Sequence, residues 1–203
     1  IAAGMAELIL VFPDGDNSFF VDWTSGVPYE ECAGDTVRAE PPEDACVRSA
    51  DYATWVARDL VRHVDRTRRT RPGRGARAVA GESMGGLGAL TLALTHPEVF
   101  AAAASMSGVV APLLLTAPAA GGRTRAASME ELEQELGRPL PGFRRRMGTD
   151  TTRWWRHDPE QAARRLVARR GPVPALWLMA GARDGYAGQG RARHATLPEL
   201  EVP

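Results

Sequence analysis

The tightest constraint on this chain is a change of hydrophobic period around residue 83. Arg77 to Ala80 is a short segment with apolar flanks, Gly81 to Gly86 follows, and Leu87-Gly-Ala-Leu-Thr-Leu-Ala-Leu94 is an apolar run that reaches His96-Pro97. Proline lacks a backbone donor and disfavours the α conformation in the residue before it, so a helix over that run stops there. Strand, tight turn and helix in that order make a βα unit. A chain built from such units is expected to form a parallel sheet with helices packed on it.

The same order recurs elsewhere. Leu8-Ile-Leu-Val-Phe12 is continuously apolar and closed by Pro13-Asp-Gly15, which predicts a strand buried on both faces. From Asp51 to about Arg69, Tyr52, Trp55, Val56, Leu60 and Val64 recur at helical spacing, with acids early and arginines late as the helix dipole prefers. This predicts one long amphipathic helix. Residues 100–106 and 173–180 predict two further strands, the last entering Gly181-Ala-Arg-Asp184. The expected fold class is α/β, a central and mostly parallel sheet flanked by helices. Residues 109–170 break the rhythm with Gly, Pro, Arg and short helical patches at 129–136, 143–147 and 159–169. They predict a cap inserted between the third and fourth strands, within a single domain over residues 1–203. No internal repeat is evident.

The turn at 81–85 carries chemistry. Gly81-Glu82-Ser83-Met84-Gly85 matches G-x-S-x-G, where small residues on either side permit a strained turn that lifts the serine hydroxyl clear of the sheet edge. Random placement of 21 glycines and 7 serines in 203 residues gives roughly 0.07 such matches, so the pattern is moderately specific before its context is counted. The bland account is a glycine-rich turn with a passenger serine. A serine hydroxyl becomes a nucleophile only when a base takes its proton and an acid orients that base. Asp184 fits the acid: one short glycine-containing turn after an apolar run puts a carboxylate at the carboxyl edge of the sheet. Its bland account is a turn aspartate capping the next helix.

No histidine stands where the base belongs. His63 falls inside the helix before the turn. His96 falls at the far end of the helix after it, about 18 Å away at 1.5 Å per residue. His157 belongs to the predicted cap and His194 to a segment, 191–197, that reads as helix.

Other features exclude function classes. Charge is balanced at 25 basic and 25 acidic residues, all the basic ones arginine, so nothing favours a nucleic acid or an anionic surface, and a small-molecule partner is expected. No apolar run approaches the roughly 20 residues a spanning helix needs. Asp14, Asp16 and Asn17 are spaced like the start of a calcium loop, but the glycine and glutamate such a loop needs later are missing. No metal or cofactor is expected. Cys32 and Cys46 are too far apart for a redox C-x-x-C pair; a disulfide between them is favoured in an exported protein and disfavoured in a cytosolic one. Six arginines between Arg66 and Arg77 read as dipole compensation and solvation rather than anion binding. Trp23, Trp154 and Trp155 suit either packing or an acyl pocket.

Taken together, Val11-Phe-Pro-Asp-Gly15 with Asn17-Ser-Phe-Phe-Val-Asp-Trp23, Asp59-Leu60, Gly81-Glu-Ser-Met-Gly-Gly86 with Gly88-Ala89 and His96-Pro97, Gly181 to Asp184, and Arg193-His-Ala-Thr-Leu197 resemble the putative-esterase (esterase D) family. That family includes S-formylglutathione hydrolases, feruloyl-type esterases and bacterial mycolyltransferases. The resemblance implies an α/β-hydrolase fold, here partial. It implies Ser83 as nucleophile, Asp184 as triad acid and the Met84 backbone N–H as one oxyanion donor. It also implies a chain truncated at both ends, with the catalytic histidine in a Gly-His loop past Pro203 and the second oxyanion amide in an upstream loop. The expected reaction of the full-length parent is hydrolysis of carboxylic esters or thioesters through an acyl-enzyme on Ser83, with residues 1–203 alone inactive. A hydroxylated acceptor in place of water would make an acyltransferase of the same site. A chain without the base would be a non-catalytic binding protein. Acyl and leaving-group preference, oligomeric state and compartment are not written in the sequence.

Overall fold

The computed structural model describes residues 7–15, 18–22, 51–110, 114–117, 123–126, 128–135 and 157–199. A helical segment opens with α1 (Tyr52–Thr54), continues through a π-helical stretch (Trp55–Leu60) and ends in α2 (Val61–Thr67). This is the long amphipathic helix of the sequence, widened at its centre. It is followed by β1 (Ala78–Glu82), α3 (Met84–Thr95) and β2 (Ala102–Met106). The later elements are the antiparallel pair β3 (Leu114–Ala117) and β4 (Arg123–Ala126), α4 (Met129–Glu135), α5 (Pro159–Ala168), β5 (Ala175–Met179) and α6 (Ala187–Glu199).

The central sheet is parallel in the order β1-β2-β5. Its register is in step across all three strands: Ala78 pairs with Ala102 and Ala102 with Ala175, through to Glu82, Met106 and Met179. All three strands therefore end at one level, and whatever follows each of them is presented on the same edge.

α3 lies at the centre of the fold. Every residue from Gly86 to Leu94 is buried, as an all-round apolar helix requires. One side packs with Ala53, Val56 and Ala57 of the first helical segment and with Phe100, Ala103 and Val110. Leu94 joins Ala162, Ala163 and Leu166 of α5 and Leu197 of α6 in a second cluster. Each fully buried leucine here contributes about 1.5–3 kcal/mol relative to exposure. Val79, Leu176 and Leu178 turn toward these helices, while Ala78, Ala80, Ala175, Trp177 and Met179 are exposed on the opposite face of the sheet. The described segment 18–22 is fastened to α1: Asp22 accepts from the Thr54 backbone N–H at 3.0 Å and from its hydroxyl at 2.7 Å.

Three expectations are corrected. Residues 8–12 form no strand, and Leu8, Ile9, Leu10, Val11 and Phe12 are all exposed, Phe12 at 87%. An unbroken apolar run carries no alternation to fix a face or a register, and a strand exists only with a partner to complete its ladder. In consequence residues 109–170 lie in sequence between β2 and β5, the second and third strands of the described central sheet, rather than between a third and a fourth. The arginine cluster is also less solvated than expected. Arg74 donates to the carbonyls of Pro97, at 2.6 Å, and Val173, at 3.4 Å, and Arg77 pairs with Asp65 at 2.5 Å. Helices at 129–135 and 159–168 agree with the sequence; the patch at 143–147, Asp16, Asn17, Trp23, Cys32, Cys46, Trp154 and Trp155 lie outside the described residues.

Candidate active site

Ser83 sits between β1 and α3 with φ 51° and ψ −115°, a backbone that a residue with a side chain rarely adopts. Two close approaches explain why the sequence turns here. A Cβ on Gly81 would lie 2.3 Å from the backbone carbonyl of Gly85, so the strand can meet the start of the helix only as glycine. A Cβ on Gly86 would lie 2.6 Å from the Ser105 hydroxyl and 2.8 Å from the Gly108 Cα, so the first turn of α3 rests directly against the end of β2. Gly85 itself has open space where its Cβ would stand; its constraint comes from Gly81 opposite.

The elbow is hydrogen-bonded on both flanks. The Ser83 N–H donates to the Met106 carbonyl at 3.0 Å, and the Ser83 carbonyl accepts from Gly86 at 3.0 Å and from Val109 at 3.4 Å. The side chain is left exposed. Met84 opens α3, and the N–H groups of a helix's first turn have no acceptor within the helix. An amide in that position, beside a serine hydroxyl and at the positive end of the helix dipole, is suited to hold a developing oxyanion.

Asp184 follows β5 by one turn, closed by its own N–H donating to the Gly181 carbonyl at 3.0 Å. The carboxylate accepts from the Tyr186 N–H at 2.8 Å, so the capping role read from the sequence is also present, at the entry to α6. Asp184 is held below its ordinary pKa, chiefly by the influence of the Ser107 hydroxyl on its carboxylate and secondly by the Tyr186 amide.

Ser83 and Asp184 thus stand on one edge of the sheet, at the ends of strands separated by β2. Two strand spacings put the ends of β1 and β5 about 10 Å apart. The four histidines lie elsewhere. His63 and His194 are exposed on α2 and α6. His96 ends α3 and pairs with Glu98 at 3.5 Å. His157 precedes α5, and its carbonyl accepts from Thr91 at 3.2 Å.

Sequence reasoning passed over two features. One is Ser107 itself, whose signal was present as a Ser-Gly step directly after an apolar strand. The other is Arg193, which is 1% exposed and donates to Asp158, Glu160 and the Val110 carbonyl. Asp158 is legible as the N-cap of α5, since an aspartate before Pro159 is a strong helix start, but its pairing with Arg193 is not.

The model for the family described as "Putative esterase" matches residues 3–197. The chain belongs to the putative-esterase family. Solved structures agree on the fold. Fluorophosphonate-binding serine hydrolase F of Staphylococcus aureus, solved with substrate bound, superposes with a TM-score of 0.65 at 20% identity, over 94% of this chain and 59% of that one. MPT51 (FbpC1) of Mycobacterium tuberculosis gives 0.51 at 22% identity, over 93% and 58%. A ferulic acid esterase gives 0.52 at 16% identity, over 75% and 51%. This family member therefore spans a little over half the length of those structures, and its sheet is the central part of an α/β-hydrolase fold. Among curated proteins no sequence matches it.

Proposed function

We propose that the full-length protein is a serine esterase that cleaves carboxylic esters or thioesters, with Ser83 as nucleophile. The observation that carries this reading is the elbow: an exposed serine at φ 51°, held between a strand and the start of a buried helix by close glycine contacts. Backbone strain of this kind costs about 1–3 kcal/mol and persists where the surroundings enforce it. Membership of the putative-esterase family supports the reaction class.

In this reading the Ser83 Oγ attacks the acyl carbon while its proton passes to a base oriented by Asp184. The carbonyl oxygen becomes an oxyanion beside the Met84 N–H. The tetrahedral intermediate collapses, and the alcohol or thiol leaves with the proton from the base. Water then repeats the attack on the acyl-enzyme and frees the acid and the serine. None of the four histidines is assigned as the base, and residues 1–203 by themselves are expected to show only the residual catalysis that survives loss of a triad member. A hydroxylated acceptor in place of water would turn the same steps into acyl transfer.

The test is labelling of the full-length protein with a fluorophosphonate probe, read by intact mass, with Ser83→Ala beside the wild type. Stoichiometric labelling that disappears in Ser83→Ala is expected. A folded wild type that takes no label overturns the reading in favour of a non-catalytic member of the family.

A further inference from the structure

Ser107 is the residue after β2, as Ser83 is the residue after β1. Because Glu82 pairs with Met106, the two serines stand side by side one step past the paired strands, and both are left-handed, at φ 51° and 48°. A side chain at such a φ is costly, and an observed outlier of this kind points to a local requirement. The segment is anchored: the Ser107 N–H donates to the Met179 carbonyl at 2.7 Å, which ties it to the end of β5, and Gly108 is buried against Gly86. Ser107 therefore occupies the middle of the edge, between the strand that delivers Ser83 and the strand that delivers Asp184, and its hydroxyl favours the ionised Asp184 carboxylate.

We propose that Ser107 is a positioning residue for Asp184: the left-handed turn after β2 aims its hydroxyl at the carboxylate and fixes the orientation in which that carboxylate meets the base. The inference rests on the reading of Ser83 and Asp184 as nucleophile and acid. Its physical basis is that Asp184 lies in a turn exposed over much of its length, with Gly181, Ala182, Arg183 and Gly185 all exposed. The Tyr186 amide restrains the carboxylate only from its own turn. Ser107 supplies a donor from a different strand, so that the acid is referred to the sheet, and through it to Ser83, and not to a surface turn alone. A hydrogen bond to a charged group has the strength to matter here, corresponding to about a 10- to 100-fold effect on a rate that depends on it.

Two variants of the full-length protein separate this role from a structural one. Ser107→Ala keeps the strained backbone and removes the hydroxyl. Ser107→Gly also removes the hydroxyl but suits the left-handed φ, so it is expected to be at least as stable as Ser107→Ala. Fluorophosphonate labelling and ester turnover are expected to slow by about 10- to 100-fold in both, in kcat more than in KM. The Asp184 carboxyl, followed by NMR titration, is expected to move up toward the ordinary aspartate range in both. Wild-type rates in Ser107→Gly, or an unmoved Asp184 titration, overturn the proposal while leaving Ser83 as nucleophile. A folded wild type that does not label fails earlier and takes down the esterase reading and this inference with it.

Discussion

Arg193 and Asp158 form an ion pair in which both side chains are buried, at 1% and 0% exposure, and which joins α6 to the N-terminus of α5. The same guanidinium reaches Glu160 and the Val110 carbonyl, so three separated stretches of chain meet at one cation. Asp158 also caps α5 by accepting from Glu160 and Gln161.

Removing one member of a buried pair strands the other. Arg193→Met is expected to lower unfolding stability by about 3–5 kcal/mol, measured by denaturant unfolding. Adding Asp158→Asn, which keeps a good N-cap and removes the stranded charge, is expected to restore part of that loss. A double variant less stable than the single one would contradict this account.

Gly81→Ala places a methyl group on the Gly85 backbone. The elbow must shift, at about 1–3 kcal/mol in stability, and fluorophosphonate labelling of Ser83 is expected to fall steeply. Gly85→Ala, whose methyl meets open space, is expected to cost less on both measures. Equal effects from the two would show that the close approach at Gly81 is not what shapes the turn.

Asp184 sets a pH dependence whose sign follows from its environment. Its pKa in the folded protein lies below the ordinary value of about 3.9, because the Ser107 hydroxyl and then the Tyr186 amide favour the carboxylate. The folded state therefore gains from ionised Asp184 at all pH values above about 4, and loses that gain as acid carries the pH down through the folded value. Asp184→Asn should be less stable than wild type near neutrality, with the gap closing below about pH 4. Unfolding midpoints of the two proteins from pH 7 to pH 3 check this.

Arg74 donates to carbonyls at the amino end of the sheet, on both the Pro97 and the Val173 sides. Arg74→Ala is expected to cost about 1.5–3 kcal/mol, as the loss of a charged donor to part-buried carbonyls does. Arg71→Ala, from the exposed part of the same cluster, is expected to stay within about 0.5 kcal/mol of wild type. Urea midpoints of the pair decide whether position or mere charge sets the effect.

The parts of this site that were legible in the sequence are those encoded locally. Gly81, Ser83 and the apolar run to Leu94 specify a strand, a turn and a buried helix within a dozen residues, and His96-Pro97 marks the helix end. Asp184 was legible because β5 and its glycine turn are contiguous. Residues 8–12 misled because apolarity specifies burial without specifying a partner. Ser107 and Arg193 were hidden for a different reason: each acts across a sequence separation that no period records, 77 residues to Asp184 in one case and 35 to Asp158 in the other. Local pattern places elements; the contacts between them are settled by which strand ends share an edge.

The strand order also fixes a sequence of events during synthesis. β1, α3, β2 and the tail that binds Ser83 all lie within residues 78–109, so the elbow can close as soon as that stretch is free of the ribosome. β5 follows only after residues 107–174, a delay of roughly 3 to 14 s at ordinary elongation rates. Through that interval the far edge of β2 waits unpaired, and Ser107 waits without its carboxylate. The Ser83 half of the edge is assembled before the Asp184 half has been made.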